Sequence, residues 1–156
     1  MNKKIKGFTL IEILIIAGIA GLILTLLVIS LNSKQKDIRD TKRLKDVYAV
    51  RDAMEVVKNQ TGSYERTYCE LGFVSLCYQK DNSELLKILP ELRTLNDPRY
   101  ETVACQLNAE CAKGCNYSFT TLEPDNYEVL FSLEKGVGIF SQSGCYRLTP
   151  QGISKL

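Results

Sequence analysis

Residues Ile13–Ser33 read ILIIAGIAGLILTLLVISLNS, a run of 21 residues without a charged side chain. A helix of about 20 apolar residues crosses the hydrocarbon core of a bilayer, so this stretch is long enough to span one. Apolar character begins before it, at Phe8, with Glu12 embedded, and Lys3, Lys4 and Lys6 precede it. Positive charge beside a first apolar helix holds that end on the cytoplasmic side, which predicts the remainder of the chain outside. The cysteines agree. All six lie between Cys69 and Cys145, as in a domain oxidised outside the cytoplasm. An ordinary cleaved secretory signal fits less well: the run exceeds a usual signal core and no small-x-small site comes after it, so a retained anchor is expected.

The chain has 156 residues, 45% of them apolar and 24% charged. The portion beyond the membrane stretch is long enough for one modest domain, not two. The formal charge of +2 includes the three leader lysines; without them 17 basic residues face 18 acidic ones. No general basic field for nucleic acid remains. Histidine is absent, which excludes histidine-based zinc sites and histidine-dependent triads.

The block KIKGFTLIE (Lys4–Glu12), continued by ILIIAGI, joins a basic leader, Gly-Phe, Thr-Leu and a nearby glutamate. It resembles the start of type IV prepilins and of the related pseudopilins of type II secretion systems. The resemblance covers about a fifth of the chain. It implies a leader, residues 1–7, cut between Gly7 and Phe8 by a membrane-embedded prepilin peptidase, and methylation of the new N-terminal Phe8. It also implies that Glu12 meets the N-terminal amine of a neighbouring subunit in a filament. Physical chemistry leads to a similar place. Carrying three ammonium groups into an apolar bundle is costly, so removing them suits a helix that must later leave the bilayer. A carboxylate within a membrane helix tends to find a positive partner, and Phe8's own amine, four residues away, is within reach on one helix face. Many major pilins carry a proline later in this helix; here Ile29 occupies the corresponding region and no proline precedes Pro90, which leaves minor pilins and pseudopilins open. Gly18, Ala20 and Gly21 form a small-residue patch of the kind that lets membrane helices approach closely.

Beyond the apolar run, Ile38, Leu44, Val47, Tyr48, Val50, Met54 and Val57 recur at mostly helical spacings. Charged residues, Asp40 and Arg43 among them, stand between as a solvated face. The pattern predicts one helix from Phe8 to about Gln60, ended by Thr61-Gly62 and about 80 Å long at 1.5 Å per residue. Four segments are expected: residues 1–7 as leader, 8–31 as transmembrane and filament-core half, 32–60 as amphipathic half, and 61–156 as a disulfide-stabilised head. In the head, Asp81-Asn-Ser-Glu84 reads as the cap of a short helix over Leu85–Leu89, with Pro90 kinking it or starting another turn. Strands are expected over 117–122, 127–134, 136–140 and 145–148, the second with a clean period of two whose apolar face lies on the helix. The fold class is α+β, a long helix against a small antiparallel sheet of three to four strands.

Sequence does not choose among the complete pairings that Cys69, Cys77, Cys105, Cys111, Cys115 and Cys145 allow. The preferred reading closes Cys69 with Cys77 and pins the last strand by joining Cys145 to Cys105, Cys111 or Cys115. A thiolate zinc site is the alternative, disfavoured by irregular spacing. No metal site, cofactor or catalytic residue is assigned; Ser143-Gly144-Cys145 has no histidine to act as base. Tyr64, Tyr68, Tyr78 and Tyr100 crowd the segment between helix and sheet, either as an adhesive or subunit-facing surface or as ordinary half-buried tyrosines. The chain is read as a structural subunit of a type IV pilus-like filament and not an enzyme. The alternatives are a secretion pseudopilin and a membrane-tethered binding module that never polymerises. Expected partners are copies of itself and other pilins, the prepilin peptidase and N-methyltransferase, an inner-membrane assembly platform and the lipid bilayer. Nucleic acid is expected only where the filament serves DNA uptake. The expected location is a single pass in the inner membrane with the head outside, then a periplasmic or extracellular filament.

Overall fold

The computed structural model describes residues 9–79, 83–107 and 111–156. The chain divides into two compact units, Met1–Gln35 and Lys36–Leu156. Helix α1, Leu10–Thr61, begins in the first and ends in the second. It stops where the sequence indicates: Gly62 takes a left-handed φ of 82° and its N–H donates to the Lys58 carbonyl at 2.8 Å, a C-terminal cap for which glycine needs no strain.

In the second unit a five-stranded antiparallel sheet runs in the order β1 (Gly72–Phe73), β2 (Ser118–Leu122), β3 (Tyr127–Leu133), β4 (Gly144–Thr149), β5 (Gly152–Lys155). The expected three to four strands are thus corrected to five. β1 is only two residues long, too short for any alternation to register, and β5 comes after Pro150 and a turn. The strand expected over 136–140 is absent. Val137 and Phe140 instead exchange backbone hydrogen bonds at 2.9 and 3.1 Å, a tight turn at the end of β3. Gly136 there has φ 95°, and a Cβ would stand 2.3 Å from the Phe140 carbonyl oxygen, so the glycine is required by both conformation and space. Between α1 and β2, Ser83 caps helix α2 (Glu84–Ile88) by accepting from the Leu86 N–H, and Pro90 opens a separate tight turn of helix over Pro90–Thr94.

The α1 residues Val47, Val50, Met54 and Val57 bury themselves against the face of the sheet that carries Phe119, Val129, Phe131 and Leu148. In the alternation of β3, Leu130 and Ser132 stand on the face turned away from the helix. Both are buried. Leu130 packs among Cys105, Cys111 and Cys115, and the two serines on that face anchor the cysteine loop. Ser118 Oγ accepts from the Cys105 N–H at 2.9 Å, and Ser132 Oγ from the Cys115 N–H at 3.2 Å. The sheet is therefore covered on both faces, by helix on one and by cystine-bridged loop on the other.

Candidate assembly site

At its start α1 carries a reciprocal cap. Thr9 Oγ1 accepts from the Glu12 N–H at 3.3 Å, and the Glu12 carboxylate accepts from the Thr9 N–H at 3.4 Å. This is the Thr-x-x-Glu capping box, which satisfies two N–H groups that a helix start leaves unpaired. A carboxylate in that first turn also faces the positive end of the helix dipole. The Thr9-to-Glu12 spacing is the sequence signal of this cap. Lys3, Lys4 and Lys6, the expected cleavage point between Gly7 and Phe8, and the methylation expected at Phe8 lie outside the described residues.

Beyond the cap, every large apolar side chain from Leu10 to Leu31 is more than half exposed. A Cβ at Gly18 or Gly21 would meet nothing within 4 Å, so no contact among the described residues calls for glycine there. Among the described residues one helix, α1, is long and apolar enough to cross a membrane.

In the second unit, charge is handled by pairing. Asp40 and Arg43, expected on the solvated face of the helix, are instead fully buried. They occupy the inward stripe one and two turns before Val47, so the helical period holds but the chemistry on it changes. Arg43 donates to both Asp97 oxygens at 2.6 and 3.0 Å, to Asp40 at 2.7 Å and to Glu134 at 2.8 Å. Asp40 also accepts three backbone N–H bonds, from Glu134, Lys135 and Gly136, at 2.8–2.9 Å. Asp97 accepts from the N–H groups of Arg99 and Tyr100, and its own N–H donates to Asn116. Helix, the end of β3 and the segment before the cysteine loop thus meet at one guanidinium. Burial works against the charge on Arg43, but its hydrogen bonds to Asp97, Asp40 and Glu134 outweigh this and hold its pKa above the usual value. Glu134 takes a two-pronged bond from Arg39 at 2.6 Å. Chiefly through that bond, and through Arg43, its pKa is held down at about 2.

The cysteines pair as Cys69–Cys77, Cys105–Cys115 and Cys111–Cys145. The first closes a loop around β1, joining Cys69 before that strand to Cys77 in the helical turn after it; the third ties β4 to the loop over β3. Cys145, considered with Ser143 as a nucleophile motif, has its sulfur in the bond to Cys111. Of the four tyrosines singled out, Tyr64 is core, packed edge-on against Tyr127 at 4.9 Å and donating to Glu55. Tyr68 is exposed with φ 53°.

Among known proteins, residues 2–28 match the prokaryotic N-terminal methylation motif, consistent with a prepilin-like family in general. Comparison with curated proteins and with solved structures returns no match.

Proposed function

We propose that this chain is a structural subunit of a type IV pilus-like filament, a substrate and building block and not an enzyme. The leader is cut between Gly7 and Phe8 by the prepilin peptidase, and Phe8 is methylated. An inner-membrane assembly platform then draws the helix from the bilayer into a bundle of copies of itself and other pilins. Before assembly the protein spans the inner membrane once with its head outside; afterwards it lies in a periplasmic or extracellular fibre. The observation that carries this reading is the apolar helix 10–31 itself. Its side chains are exposed around the whole circumference, and it is joined to the methylation motif.

Passage from lipid to a helix bundle exchanges one apolar surrounding for another, so the exposed leucines and isoleucines need not meet water. Glu12 then has two states. In the isolated chain it caps its own helix; in the assembly it meets the amine of a processed neighbour and fixes the axial stagger, since a buried ion pair specifies register better than it stabilises. A type II secretion pseudopilus uses the same device, and the absence of proline before Pro90 favours a minor pilin or pseudopilin over a major pilin.

Mass spectrometry of the membrane-derived protein tests the processing step. A mature chain beginning at N-methylated Phe8 is expected; an intact Met1 leader contradicts the reading and leaves the membrane-tethered binding module in its place. Glu12→Leu is expected to leave export and the three disulfides intact while abolishing most filament assembly, scored by fibre yield.

A further inference from the structure

The two edges of the sheet differ in a way that the helix-bundle reading does not use. Among the described residues β1 covers β2 only at Ser118 and Phe119, whereas β2 runs on to Leu122, paired there with β3 alone. The chain cannot extend β1 backward along this edge: the Cys69–Cys77 bond and the left-handed turn at Tyr68 draw it away. At the far end it returns, the Tyr64 N–H donating to the Pro124 carbonyl at 3.0 Å. Between these points lies an open recess of about 880 Å³ lined by Glu65, Tyr68, Leu71, Thr121, Leu122 and Glu123. Tyr68 and Leu71 are exposed on its wall. No lysine or arginine lines it among the described residues; at the rim Arg66 donates to the Tyr68 hydroxyl.

The opposite edge is β5, paired only with β4 among the described residues. It is four residues long, with Ser154 and Lys155 exposed, and the Lys155 ammonium donates to the neutral Gln142 side chain. An uncovered strand edge is a template for pairing with another chain, and charge decides which pairing is allowed here. Two β2 edges would set glutamates against glutamates, and two β5 edges lysine against lysine; β5 against β2 joins opposite signs. Direction agrees as well. The sheet is antiparallel throughout, so a second copy in the same orientation presents β5 antiparallel to β2, in the place where β1 leaves off.

We propose that β5 of one copy docks along the open edge of β2, residues 120–123, in the next copy, with Lys155 over the Glu65 and Glu123 carboxylates. The contact joins two different surfaces, so it repeats without closing. This inference rests on the filament reading and adds to it a second, head-to-head contact independent of the N-terminal helix.

The test places a genetically encoded benzophenone photocrosslinker at Ser154 in the full-length chain and irradiates sheared filaments. The expected product is a covalent dimer whose crosslink maps to residues 65–71 or 120–123 of the second copy. Adding Glu123→Lys lowers that yield about threefold, the size of one exposed ion pair, and adding Lys155→Glu as well restores it. Where the Ser154 variant fails to assemble, the crosslinker is moved to Glu123 and read onto residues 152–156. Intact filaments that crosslink elsewhere, or to a different protein, overturn the edge contact and leave the filament reading standing. Wild-type chain that forms no filament overturns both.

Discussion

Leu22 and Leu130 are the same side chain in opposite circumstances, 64% exposed in the first unit and fully buried in the second. The two units treat charge as differently as they treat leucine. Glu12, the acidic residue in the first turn of α1, is satisfied locally by its own helix start, whereas Arg43 is satisfied by Asp97 and Glu134, 54 and 91 residues away. The second unit completes its packing internally, with helix and cystine loop on either side of one sheet. Among its described residues the first has no internal partner for its apolar surface, and its carboxylate Glu12 is held there only by the two exposed, long hydrogen bonds of a cap. A surface of that kind is stable only beside lipid or beside other helices. The difference teaches that the packing of the head does not draw on the apolar helix surface, so on the proposed reading mutation should separate folding of the head from assembly of the helix.

The largest expected effect is at the charge node. Arg43→Ala leaves Asp40 and Asp97 buried without a counter-ion and should cost the head about 3–5 kcal/mol, read by urea unfolding of the full chain in detergent with tyrosine fluorescence. A loss below about 1 kcal/mol would mean that the node does not hold helix and sheet together. The leucines provide the direct contrast. Leu130→Ala should cost about 2–5 kcal/mol in the same assay through the cavity it leaves, while Leu22→Ala leaves the unfolding curve unchanged. Equal effects would erase the distinction between the units.

Acid provides a smaller lever. The pKa of Glu134 is lowered from 4.5 to about 2, so its contribution to stability is full above about pH 4.5 and disappears as pH falls through about 2. Between those values the wild-type head should lose melting temperature faster than Glu134→Gln, whose side chain cannot titrate; parallel curves would remove Glu134 from the account. The smallest effect is expected at Tyr127, whose buried hydroxyl has no hydrogen-bond partner among the described residues. Tyr127→Phe removes an unsatisfied group and should change stability by less than about 1 kcal/mol, in the stabilising direction, on the same urea curve.

Much of the fold was legible because its signals are local. The end of α1 is marked by Thr61-Gly62, α2 by Ser83 as a cap, and β2 and β3 by alternation on either side of the turn at Pro124. Burial of Asp40 and Arg43 was not legible, since a charged residue on an inward stripe reads as a solvated face until its distant partners are known. Coverage of Leu130 and Ser132 was hidden for a related reason: the loop that covers them is held by cystines, and spacing alone does not determine their pairing. β1 is too short for a period. At the candidate assembly site, Glu12 stood out as an isolated carboxylate in an apolar run, yet its partner within the chain, Thr9, was visible only as a capping-box spacing.

The central claim is that the exposed helix exchanges lipid for copies of itself. The most direct measurement is the distribution of the processed wild-type chain between membranes and a sheared, sedimentable fibre fraction from the cells that make it. The account predicts the chain in fibres, in repeated contact with its own copies. Recovery solely as dispersed monomers in the membrane, with no fibre containing it, would contradict the claim while leaving the fold of the head untouched.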